Sequence, residues 1–137
     1  MVHVIDIHEI IPKVNKICAQ ENTIIAAYIF GSLAKKKIFV EDVDIALLMD
    51  SKSDETFSIL DFITEIEKAC GLRADVVILN RATELIKFEV RRTGMIIFER
   101  DTRKRIEFEI YSRKTFEDFL YLHKRYVNTV LYKRKNG

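Results

Sequence analysis

The sequence contains no tryptophan, one proline, four glycines and two cysteines in 137 residues. So few chain breakers leave no room for a disordered linker. Cys18 and Cys70 stand far apart, at apolar positions of expected helices, and no CxxC or Cys/His cluster is present. That excludes a disulfide scaffold and a thiolate zinc site, and suggests buried free thiols in a cytoplasmic protein. The three histidines, His3, His8 and His123, are too scattered for a metal cluster. No apolar run approaches the roughly 20 residues that cross a bilayer, so no membrane association is expected. The first residues carry neither a basic start nor a small-residue cleavage site, and no signal peptide is expected. A net charge of only +2 is unlike that of many nucleic-acid binders, and direct nucleic-acid binding is not expected.

A hydrophobic fraction of 48% and a charged fraction of 32% suit a globular chain, and the length suits one domain with a real core. Apolar residues recur at helical spacing from Asp6 to Glu21, although Pro12 argues for a start nearer Glu9. Ile24–Phe30 is a continuous apolar run, as in a strand covered on both faces. A short helix is expected over Leu33–Ile38, with Ser32 as its cap. A second strand spans Glu41–Met49. Ser53–Cys70 reads as a long helix ending at Gly71, with Phe57, Leu60, Ile63 and Ile66 on its inner side. Ala74–Leu79 is a third strand. Thr83–Thr93 is a helix, and Met95–Phe98 is a short edge strand. From Asp101 to about Lys133 the pattern is that of a long helix or helix pair, with Phe108, Tyr111, Phe119, Leu122, Tyr126 and Val130 in one stripe. Alternation of strands and helices implies a small α/β or α+β sandwich.

The chemistry concentrates between Tyr28 and Asp50. A Gly31-Ser32 turn follows the first long strand, and nine residues separate Ser32 from Asp42. Residues i and i+2 of a strand share a side, so Asp42 and Asp44 project together. Two adjacent carboxylates repel unless a cation lies between them, which points to a divalent metal site. Gly31 admits a phosphate close to the backbone, Ser32 offers a hydroxyl, and Lys35, Lys36 and Lys37 are near enough in sequence to meet a triphosphate.

Gly-Ser, a spacer and Asp-x-Asp, with a third carboxylate (Asp75) in a later apolar strand, resemble the signature of the DNA polymerase β-like nucleotidyltransferases. The length is similar to that of their minimal, MntA-like branch. The family more often has Arg-Ala-Arg-Gly after Gly-Ser. Here Lys35 takes the second Arg position, and Leu33 replaces the first. The resemblance implies an α+β fold, with a small mixed sheet, helices mainly on one face and a long C-terminal helical extension. On that reading residues 1–100 are the nucleotidyltransferase domain and 101–137 its extension. It further implies catalysis with ATP as substrate and two Mg2+ ions. Asp42, Asp44 and Asp75 would be the metal-binding and catalytic set, and Gly31, Ser32 and Lys35 would bind the nucleotide.

The same resemblance implies a partner, a helical HEPN-type toxin whose tyrosine receives AMP, with this chain as antitoxin. Two other uses stay open: an antitoxin that acts by contact alone, and a small-molecule, antibiotic-type nucleotidyltransferase. Residues 103–135 carry ten Lys/Arg against four Asp/Glu beside many aromatics. That surface fits an acidic partner, and a homodimer or packing on the sheet are its other uses.

Overall fold

The computed structural model describes residues 3–4, 6–31, 39–40, 42–51 and 57–131. Among the described residues, six strands and four α-helices follow in the order β1 (His3–Val4), α1 (Ile7–Gln20), β2 (Ile24–Phe30), β3 (Phe39–Val40), β4 (Asp42–Met49), α2 (Ile59–Cys70), β5 (Arg73–Ile78), α3 (Glu84–Thr93), β6 (Met95–Glu99) and α4 (Thr102–Tyr126). The main sheet has the order β5-β4-β2-β6. β2 pairs antiparallel with both β4 and β6, whereas β4 and β5 run parallel, so the sheet is mixed. The short strands β1 and β3, which the sequence pattern does not signal, pair with each other.

The two faces of β4 divide the core. Val43, Ile45, Leu47 and Met49 meet Ile10, Val14 and Cys18 of α1 and Phe62 and Ile66 of α2. Ala46 and Leu48 face the other way, into a smaller cluster with Tyr28, Leu79 and Val90 that Phe108 of α4 borders. Each large apolar side chain so buried contributes about 1.5–3 kcal/mol.

Helix α1 starts earlier than its proline suggests. The Asp6 carboxylate accepts the backbone N–H of His8, so the helix begins at Ile7 and holds Pro12 inside. An interior proline costs about 3 kcal/mol, a penalty offset by burying Ile7 and Ile10 in the first two turns. Helix α2 instead starts later than expected, at Ile59, capped by the Ser58 hydroxyl; positions 52–56 lie outside the described residues. Its inner side is then set by Phe62 and Ile66, and Leu60 is 73% exposed rather than packed. Gly71 ends it in the left-handed region, as the pattern indicates. The helix expected over Leu33–Ile38 falls outside the described residues.

Two polar side chains tie the layers. The Asn80 amide both donates to the Met49 carbonyl and accepts its N–H, extending the β4 ladder where β5 has ended. Arg100 donates to the carbonyls of Ile24, Cys18, Ala19 and Glu21, which closes the end of α1 onto the start of β2. Cys18 is fully buried, and burial pushes its thiol up to about 12, so it is inert. Cys70 is free but only half-buried.

Helix α4 packs on α3 over its first half. Tyr28 donates to Glu109, Arg91 donates to the buried Ser112, and Phe88 stacks on Phe116 at 4.5 Å. From Leu120 to Tyr126 every residue of the helix is exposed, and a π-helical turn, Val127–Leu131, follows. Tyr111, Leu122 and Tyr126 of the expected stripe are each at least 60% exposed and so are not core. Among the described residues no helix is long and apolar enough to cross a membrane.

Candidate active site

The candidate site forms at one end of the sheet, where β2 ends and β4 and β5 begin. Parallel pairing aligns Asp44 with Asp75 and Asp42 with Arg73. Antiparallel pairing aligns Asp44 with Phe30, the last residue of β2. Gly31 therefore follows directly beside Asp44. Its φ of +73° needs glycine, and a Cβ there would collide with Oδ2 of Asp44 and lie 3.3 Å from its Cγ. The glycine thus has a packing reason that the motif alone did not reveal: it makes room for a carboxylate of the same chain.

Asp42 and Asp44 share a side of β4 while Val43 and Ile45 are fully buried on the other, as the i/i+2 alternation requires. The three carboxylates sense one another. Asp44 is half-buried, and its carboxyl is pushed up to about 6, first by burial and then by the charges of Asp42 and Asp75. Asp75 is also raised, by desolvation and then by a hydrogen bond to Asp42 and that group's charge; Arg73 opposes the shift. Glu67 of α2 accepts the backbone N–H of Ala74 at 3.1 Å, which fixes the start of β5.

All the donors here are hard carboxylate oxygens, the type that suits Mg2+. Like charges held this close store repulsion that a cation relieves. Among the described residues no three acidic, histidine or cysteine side chains already enclose a metal position. The carboxylates stand as neighbours along the sheet end rather than as a closed cage. Ser32 and Lys35, with Lys36 and Lys37, lie outside the described residues. Gly31 is the one nucleotide-side candidate whose place is described. Arg73 and Glu67 were not singled out by the motif; the signal for Arg73 is the i/i+2 spacing to Asp75.

The model of the polymerase beta nucleotidyltransferase family matches residues 12–103, more than half of the chain. This chain belongs to that family. The match takes in all three aspartates and the Gly-Ser turn. No functionally curated protein matches the sequence. Among solved structures, a toxin–antitoxin chain crystallised with AMP-PNP is 17% identical, with a TM-score of 0.72 over 88% of this chain and 98% of that one. A chain of the MntA toxin–antitoxin complex is 15% identical, with a TM-score of 0.71 over 88% and 98%. A third is from a complex of the tri-AMPylated Shewanella oneidensis HEPN toxin with its MNT antitoxin, at 17% identity and a TM-score of 0.67 over 89% and 96%. The fold is thus that of an MntA-like nucleotidyltransferase, mixed sheet and helices included.

Proposed function

We propose that this nucleotidyltransferase is metal-dependent and moves AMP from ATP to a tyrosine hydroxyl of a HEPN-type toxin, acting as its antitoxin. The observation that supports this most is the alignment of Asp44 with Asp75 across β4 and β5, with Asp42 beside them and Gly31 against Asp44. Residues 1–100 would be the transferase unit and 101–137 its helical extension.

In the reaction the acceptor oxygen forms a bond to the α-phosphorus, the bond from that phosphorus to pyrophosphate breaks, and the hydroxyl proton leaves. Asp42 and Asp44, with Asp75, would hold the metal. Two magnesium ions bound there would polarise the phosphate and stabilise the attacking and leaving oxygens. Gly31, with its left-handed φ and the Asp44 carboxylate against it, would set the turn that leads into Ser32 and Lys35, the proposed contacts of the triphosphate. Asp75, exposed at the sheet end, would also take the acceptor proton.

A second reading is an antitoxin that works by contact alone. The exposed aromatic end of α4, with Leu122 and Tyr126, favours it. The two separate by experiment. The purified chain with α-labelled ATP and Mg2+ is expected to label a co-expressed HEPN-type protein, and Asp42→Asn is expected to stop labelling and neutralisation together. Full neutralisation by Asp42→Asn would favour contact alone.

A further inference from the structure

Arg73 is the one basic residue of β4 and β5. It opens β5, it is aligned with Asp42, and by alternation it shares the side of Asp75. It is exposed and, among the described residues, makes no ion pair, although its charge acts on Asp75. Its backbone is not loose, because the Glu67 bond to Ala74 holds this end of the strand to α2.

The strand order gives Arg73 a side. β4 lies between β2 and β5, so the Gly31 turn is on one flank of Asp42 and Asp44, and Arg73 is on the other. A triphosphate seated on the Gly31 turn leaves the β5 flank for the acceptor. We propose that Arg73 is a specificity residue for the acceptor, and that it recognises a carboxylate next to the hydroxyl that is modified. The inference rests on the reaction proposed above. An acidic acceptor segment would otherwise be repelled by Asp42, Asp44 and Asp75. A guanidinium offsets that repulsion and matches a carboxylate with two parallel N–H donors, which a lysine does not reproduce.

Two tyrosine peptides, one flanked by glutamates and one by lysines, test this with ATP and Mg2+, alongside AMP-PNP affinity. The native chain is expected to label the glutamate peptide about tenfold faster, the scale of one charge-assisted contact. Arg73→Ala should erase that preference, Arg73→Lys restore only part of it, and Arg73→Glu invert it, all with unchanged AMP-PNP affinity. A preference that survives Arg73→Ala overturns the proposal. So does a tenfold loss of AMP-PNP affinity in that variant, which would place Arg73 on the nucleotide flank. A native chain that labels its protein partner but neither peptide also overturns it. If the native chain labels nothing at all, the reaction itself fails, and the AMP-PNP arm still decides the flank of Arg73.

Discussion

The Asp44 carboxylate fills the space that a side chain on Gly31 would need. Strand pairing of Asp44 with Phe30 sets this contact, and the left-handed φ of Gly31 turns the chain away just after it. Turn and carboxylate are therefore one unit. Gly31→Ala should cost about 1–3 kcal/mol of stability, from the forced φ and the collision together. Thermal unfolding would show it, and transfer activity should fall even at temperatures where the variant stays folded. An alanine variant with native stability would mean that the turn relaxes freely.

Repulsion among the three acids makes an unusual prediction for Asp44→Asn. Without divalent ions this variant should melt at a higher temperature than the native chain at pH 7, because one half-buried like charge is gone. The pH dependence has the same origin. A carboxyl raised to about 6 binds its proton more tightly folded than unfolded, so metal-free stability should rise as the pH falls from 7 towards 5. In Asp44→Asn that rise should shrink. An equal rise in both proteins would place the titration elsewhere.

Arg100 serves four carbonyls and stacks over Phe98 at 5.1 Å from the ring centroid. Arg100→Ala should destabilise by about 2–3 kcal/mol, since two part-buried acceptors, the carbonyls of Ile24 and Cys18, lose a charged donor. Arg100→Lys should recover little, because an ammonium lacks the planar fork that reaches acceptors on two elements. Chemical denaturation measures both.

The outer end of α4 should behave oppositely. Leu122→Ser with Tyr126→Ser removes side chains that are about 60% exposed, so the melting temperature should move little. Affinity for a co-expressed HEPN-type partner should fall at least about tenfold if this end docks there. Binding titrations at equal fold stability separate the two effects.

Much of this was legible in the chain. The alternation through Asp42-Val43-Asp44-Ile45 fixed which side each residue takes, because burial of Val43 and Ile45 leaves no other register. Ile24–Phe30 and the edge strand at Met95 were plain from apolar runs between turn residues. The misses have local causes. Pro12 sits inside α1 because the Asp6 cap and two buried isoleucines outweigh one lost backbone bond. Leu60 points outward because the stripe that meets the core is Ile59, Phe62, Ile63, Ile66 and Cys70, at i, i+3, i+4, i+7 and i+11, and Leu60 lies beside it. The pairing of Asp44 with Asp75 is a long-range register, and the spacing of the acids along the chain does not contain it. The i/i+2 spacing puts Arg73 beside Asp75, but its alignment with Asp42 comes only from the sheet order.

The most direct measurement compares AMP transfer by Asp42→Asn, Asp44→Asn, Asp75→Asn and the triple variant, each checked for native circular dichroism. Groups that work as one site are strongly non-additive, so each single change should lose about as much as the triple, on the order of a thousandfold or more. An Asp75→Asn variant that retains the native rate would contradict the account.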